Sequence, residues 1–171
     1  MTRYLAFLRG VSPVNASMPA LRAAFEAAGF GQVRTVLGSG NVAFDAPADD
    51  EHRLEQLAEA AMAAQLGKVF PAIVRPVEHL RGLLAADPYA RHGIPPEARR
   101  VVSFLREAAE PRVALPLTRD FASVFLVQGR EVYSAYVPTP KGPVFMQLIE
   151  RAFGTAITTR TLDTVARCAR A

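Results

Sequence analysis

The apolar positions of this chain follow two rhythms, short runs of strand type and longer stretches spaced three to four apart, and the two alternate from the N-terminus onward. "RYLAFLR" (3–9) reads as a strand. "MPALRAAFEAAGF" (18–30) reads as a helix, with Ser17 as N-cap, Leu21, Ala24, Phe25 and Ala28 on one face, and Gly29 as its stop. "QVRTVL" (32–37) and "NVAFD" (41–45) read as strands on either side of a Gly-Ser-Gly turn. A helix is expected over about 51–66, with Leu54, Leu57, Ala61 and Met62 inward and Asp49, Asp50 and Glu51 favouring its start. "KVFPAIVR" (68–75) is the next strand, and Pro71 assigns it to a sheet edge. The order is β-α-β-β-α-β.

That order recurs without a residue-level repeat. After a short helix (77–86) and a Pro-rich loop ending in "HGIPPEAR", "RVVSFLR" (100–106) reads as a strand and 111–118 as a short helical turn. "FASVFLV" and "EVYSAYV" form a hairpin around Gln128-Gly129-Arg130, "PVFMQLIERAF" a helix and "TAITTR" a short strand, before a final helix. The expected fold class is α+β, two ferredoxin-like α/β plaits with antiparallel sheets. Residues 1–75 form the N-terminal plait, 76–98 a helical linker, and 99–171 a C-terminal plait-like subdomain with the final helix. Leu5 and Phe7 face one way on the first strand and Tyr4, Ala6 and Leu8 the other. Both sheet faces are therefore expected to be covered, by the other half or by a second subunit, so a homo-oligomer is among the expectations.

Composition narrows the setting. Half the residues are hydrophobic, enough for a real core in a soluble globular protein. No apolar run is long enough to span a bilayer, and "YLAFL" is closed by Arg9 before a signal-peptide core forms, so no membrane association is expected. The lone Cys168 excludes an internal disulfide and agrees with a reducing compartment, so the expected location is cytoplasmic. The net charge of +4 lies in the second half: residues 1–75 carry seven basic and seven acidic side chains, residues 76–171 thirteen and nine. Eighteen of the twenty basic residues are Arg, which in an Ala-rich chain reflects coding bias, so a pI near 9.7 permits an anionic partner without requiring one.

Topology supplies a candidate site. In a plait of strand order 4-1-3-2, the first strand ends at the edge where the second turns into the third. That gathers Arg9, Gly10, Ser12, Asn15, Ser39, Gly40 and Asn41, with Lys68 nearby, into a nest suited to an anion or polar head group. Two glycines and an Asn are equally what a tight hairpin requires. Thr159 and Arg160 form a second candidate ahead of the final helix, where Thr161 also serves as an N-cap and Asp163 meets the helix dipole.

Other chemistry is thin. His52, His79 and His92 have no metal-pair spacing, Gly38-Ser39-Gly40 leads into a strand and is no nucleophile elbow, and "GFGQVR" fails the dinucleotide fingerprint. No metal, no cofactor and no catalytic residue is assigned. Nucleic acid is a weaker expectation: no RNP-like run is present, Phe7, Phe44, Phe104 and Phe125 read as core, and Arg91, Arg99, Arg100, Arg106 and Arg112 suit a solvated face as well as a basic stripe.

"LRGV" followed by "MPALRAAFEAAGFGQVRTVLGSGNVAF", together with "TTRTLDTVARC", resembles the bacterial family catalogued as domain of unknown function 1697, over nearly the whole chain. Its members carry an Arg-Gly-Ile-Asn-Val-Gly-Gly segment, a Met-x-x-Leu-Arg helix, a Thr-x-x-x-Ser-Gly-Asn hairpin and a Thr-Thr-Arg-Asn-Trp-Asn-Thr segment. The resemblance implies two plaits and no assigned activity. Here "RGVSPVNAS" replaces the glycine-rich loop, and Thr161, Leu162 and Asp163 stand where Asn, Trp and Asn are usual, so a family ligand would meet different chemistry at these positions. The leading expectation is a protein that binds a small anionic or polar molecule at the 9–17 loop and the Ser39-Gly40-Asn41 hairpin. Arg9 would supply charge, Ser39 and Asn41 directed hydrogen bonds, and Gly40 close backbone approach. The alternatives are an enzyme using the same cleft and a nucleic-acid-binding module using the Arg-rich second half.

Overall fold

A computed structural model describes the whole chain, Met1–Ala171. Two compact units divide it, Met1–Leu84 with Ala166–Ala171, and Ala85–Val165.

The first unit runs β1 (Thr2–Leu8), α1 (Met18–Ala27), β2 (Gly31–Thr35), β3 (Asn41–Ala46), α2 (Glu51–Leu66), β4 (Ala72–Pro76) and into α3 (Val77–Ala86). Its antiparallel sheet has the order β2-β3-β1-β4, the plait order that the pattern predicts. Local chemistry places the helix ends. Ser17 Oγ accepts from Ala20 N at 3.2 Å, and Gly29 leaves α1 at φ +91°. Asp50 accepts from His52 N and Arg53 N, and Gly67 closes α2 at φ +68°. Tyr4, Ala6 and Leu8 of β1 pack with Leu21, Phe25, Leu54 and Met62 of the helices. Phe44 is the centre of this core, its ring 4.2 Å from that of Phe30 and 5.7 Å from those of Tyr4 and Phe25. Leu5, Phe7, Ala43 and Ile73, on the other sheet face, are also buried.

One expectation about α2 is corrected. Leu54 and Met62 are inward, but Leu57 is exposed and Ala61 half-buried, and their places are taken by Glu55 and Ala58. The reason lies in β4, an edge strand. Val74 N donates to Glu55 Oε2 at 3.3 Å and Ala72 N to Glu59 Oε2 at 3.4 Å, so two helix carboxylates occupy backbone donors that would otherwise invite another strand.

The second unit holds α4 (Pro88–Arg91), β5 (Arg99–Leu105), β6 (Leu117–Arg119), β7 (Ala122–Gln128), β8 (Glu131–Tyr136), α5 (Val144–Phe153) and β9 (Ile157–Thr161), and α6 (Leu162–Cys168) carries the chain back to the first unit. Its sheet order is β6-β7-β8-β5-β9. The four strands β7-β8-β5-β9 repeat the plait order, but the expected helical turn over 111–118 is absent. That segment is irregular, with bends at 112–113 and 115–116, and only its end, Leu117–Arg119, is strand, while Val113, Leu115 and Leu117 pack in turn onto the core of this unit. A period of two is strand chemistry, and Pro116 would break a helix by lacking the N–H its turn needs; together they override the helical reading.

Tyr89 and Tyr133 are buried in this unit, their rings 5.8 Å apart, and Tyr89 Oη donates to Val101 O at 2.6 Å. Burial, and then the charge of Glu131, push the Tyr133 hydroxyl up to about 12. Burial, Tyr133 and Asp87 raise Tyr89 as well, against the opposing pull of Arg100 and the Val101 bond. The folded unit thus holds these protons more tightly than the unfolded chain. The stabilisation is intact below about pH 10, the ordinary tyrosine value, and is lost as pH rises from there through the folded values. In an alkaline titration, tyrosinate absorbance from these two of the four tyrosines should appear together with loss of the near-ultraviolet circular dichroism. Ionisation of every tyrosine near pH 10 with the fold intact would contradict it.

Candidate functional site

The loops that follow β1, join β2 to β3 and lead into β4 meet at one edge of the first unit. Leu8 N donates to Gly40 O at 2.8 Å, and Arg9 N to Pro71 O at 3.0 Å, which ties all three together. Within the 9–17 loop, Asn15 is the organiser. Its Oδ1 accepts from Ser12 N at 2.8 Å, its Nδ2 donates to Gly10 O at 2.7 Å, and its carbonyl accepts from Lys68 Nζ at 2.5 Å.

The hairpin turn is held in a similar way. Val36 N donates to Asn41 O at 2.8 Å, while the buried Asn41 side chain donates to Val36 O at 2.9 Å and to Ser39 Oγ at 3.2 Å. Gly40 sits at φ +87°, and a Cβ there would lie 2.9 Å from Val11 Cβ and 3.1 Å from both Leu8 Cβ and Leu8 O. The close approach that Gly40 permits is thus to the chain's own first loop. Gly38, whose nearest neighbour would be Pro13 Cγ at 3.9 Å, carries no such demand.

The structure therefore brings Arg9, Gly10, Asn15, Ser39, Gly40, Asn41 and Lys68 to one edge and divides their tasks. Asn15, Gly40 and Asn41 shape the backbone. Gly10, Ser39 and Lys68 are exposed, Arg9 is half-exposed, and the apolar Val14, Leu37 and Val69 stand out on the same loops. The three loops contribute two cations and contain no carboxylate. Glu59, which reaches the start of β4 from α2, accepts from Ala72 N.

Thr159 and Arg160 lie on β9 of the second unit. Thr159 Oγ1 is 2.8 Å from Ser103 Oγ across the β5–β9 pair, and Arg160 Nη1 donates to the Thr159 carbonyl at 2.9 Å. Thr161 Oγ1 accepts from Thr164 N at 3.3 Å, the expected cap of α6. A cavity of about 440 Å³ opens beside that cap, but the carboxylates of Glu97 and Asp163 line it along with Arg99 and Arg100, and neither Thr159 nor Arg160 does.

The family model described as protein of unknown function (DUF1697) matches residues 1–133. This chain belongs to the DUF1697 family. The match takes in the whole loop edge and ends within β8, so the Thr159–Arg160 segment lies outside it, although "TTRTLDTVARC" formed part of the resemblance. Among solved structures, the chain is similar to a conserved bacterial protein, SP0830, from Streptococcus pneumoniae. The two are 18% identical with a TM-score of 0.75, over 99% of this chain and 97% of that one, which establishes a shared fold. No curated protein matches the chain. No helix of this DUF1697 member is long and apolar enough to cross a membrane.

Sequence reading missed a third feature. A cavity of about 410 Å³ in the first unit is lined by Arg34, Thr35, Val36, Leu37, Arg167, Arg170 and Ala171. Arg34 lies more than a hundred residues from Arg167 and Arg170 in the chain, so no local motif joins them.

Proposed function

We propose that this protein binds a small anionic or polar ligand at the loop edge of its first unit. The supporting observation is that three loops, pinned to one another through Leu8, Arg9, Asn15 and Gly40, present Arg9 and Lys68 on a surface whose own segments hold no carboxylate. In this reading Arg9 and Lys68 supply charge, Ser39 a hydroxyl at the rim, and the exposed backbone around Gly10 further donors. Asn15, Gly40 and Asn41 belong to the site as its scaffold.

The test is thermal unfolding of the full chain against nucleotides, sugar phosphates and carboxylates, in wild type, Arg9→Ala and Lys68→Ala. A ligand at about a hundred times its Kd adds about 2.7 kcal/mol, a rise in Tm of about 5–10 °C for a chain of this size. That rise is expected to disappear in both variants. A ligand-induced rise that is the same size in wild type, Arg9→Ala and Lys68→Ala would remove the edge from consideration.

A further inference from the structure

The first unit treats its exposed arginines in two different ways. Arg3 pairs with Asp45 at 3.1 Å, Arg22 with Glu26 at 2.9 Å, Arg53 with Asp49 at 3.1 Å and Arg81 with Glu78 at 2.5 Å. Arg34, Arg167 and Arg170 have no such partner: no carboxylate side chain lines the cavity that they share, and none of the three guanidinium groups makes a hydrogen bond or ion pair with the protein. A solvated charged face normally mixes signs, as the paired arginines do. Three guanidiniums around one concavity repel each other, and an anion placed among them relieves that repulsion.

The backbone around the cavity supports the same reading. β2 carries a register shift between Gly31 and Arg34, the kind of bulge that re-aims a side chain. Arg34 is paired with Ala43, whose side chain lies on the sheet face away from the helical core, and Arg3 shares that face. The C-terminal segment crosses there. Arg3 Nε donates to Ala171 O at 3.3 Å and Arg81 Nε to Ala169 O at 3.1 Å, which fixes the stretch that carries Arg167 and Arg170. Leu37, on the cavity wall, is held at φ +61°, an uncommon and strained conformation for a bulky side chain and one that clusters at ligand sites.

We propose that this cavity is a binding site for a small phosphorylated ligand of the pyrophosphate class, held by Arg34, Arg167 and Arg170. The guanidinium fork matches phosphate oxygens two at a time, and three arginines in one wall, drawn from two segments, favour a ligand with adjacent negative charges over a single one. A volume of about 410 Å³ leaves room for a group attached to the phosphates, and Thr35 is within the wall to hydrogen-bond it. This site is separate from Arg9 and Lys68, and the two can be tested apart.

The experiment is calorimetric titration of the full chain with inorganic pyrophosphate, with orthophosphate and a short single-stranded RNA in parallel. Pyrophosphate should bind more tightly than orthophosphate. Its Kd should rise by about tenfold or more in Arg34→Ala and in Arg167→Ala, the loss expected for a charged hydrogen-bonded contact. Arg34→Lys should fall between wild type and Arg34→Ala, because it keeps the charge and loses the fork. Arg22→Ala, at an arginine that pairs with Glu26 and does not line the cavity, should leave pyrophosphate binding unchanged. Arg22, Arg34 and Arg167 are solvent-exposed, so their variants should retain the wild-type Tm. Failure of pyrophosphate to bind, or equal binding by wild type, Arg34→Ala and Arg167→Ala, overturns the proposal. Binding lost in Lys68→Ala and kept in Arg34→Ala overturns it in favour of the loop edge. RNA binding with steep salt dependence and no pyrophosphate binding overturns it in favour of a polyanion-binding face.

Discussion

Gly40→Ala is expected to destabilise the first unit by about 3 kcal/mol, from about 1–2 for an L-residue in the left-handed region and about 1–3 for overpacking. The added methyl would lie 2.9 Å from Val11 Cβ and 3.1 Å from Leu8 Cβ and Leu8 O. Leu8 cannot retreat, because its side chain is in the core and its N–H donates to Gly40 O. Loss of Tm by about 6–12 °C in thermal melts would match that figure. The internal control is Gly38→Ala two residues earlier. With its nearest contact at 3.9 Å, it should stay within about 0.5 kcal/mol of wild type. A Gly40→Ala protein as stable as Gly38→Ala would show that the glycine is not needed for packing, and would return it to the ligand-contact role expected from sequence.

That contrast shows where sequence reading reaches its limit. The Gly-Ser-Gly-Asn turn and its place beside the Arg9 loop follow from strand order alone, since the order of the first sheet fixes which loops share an edge. The division of labour among the residues does not. Asn15 and Asn41 look like ligand donors in sequence, and only the structure shows that their side-chain groups serve Ser12, Gly10, Val36 and Ser39. The Arg34, Arg167 and Arg170 cavity was invisible for a different reason. It depends on the return of 166–171 to the first unit, a long-range event that no periodicity encodes.

Helices with clear caps, such as those beginning after Ser17 and ending at Gly67, were legible because each end is a local hydrogen-bonding problem. The 111–118 segment was misread although its signal was present. Val113, Leu115 and Leu117 alternate strictly, a period of two that a helical turn does not have. On α2, hydrophobicity chose Leu57 for the interior, whereas the edge strand's backbone donors required Glu55. In that case hydrogen-bond demand from β4 outweighed the burial of one more leucine, because Leu57 can remain in water at modest cost and a buried N–H cannot be left unpaired.

Glu55→Ala should therefore cost about 3 kcal/mol, far more than a surface helix carboxylate. The residue is fully buried, accepts from Val74 N at 3.3 Å and has its other oxygen 2.7 Å from His52 Nδ1. Alanine leaves the buried Val74 N–H without its side-chain acceptor and strips His52 of this partner. Glu55→Gln keeps a carbonyl oxygen for Val74 and should cost only about 1 kcal/mol. Leu57→Ala, on the exposed side of the same helix, should change stability by less than about 0.5 kcal/mol. Urea denaturation of the three variants ranks them directly. Equal losses for Glu55→Ala and Glu55→Gln would mean that the charge, and not the acceptor for β4, is what the buried position requires, and a loss below about 1 kcal/mol in both would mean that the edge strand does not depend on α2 at all.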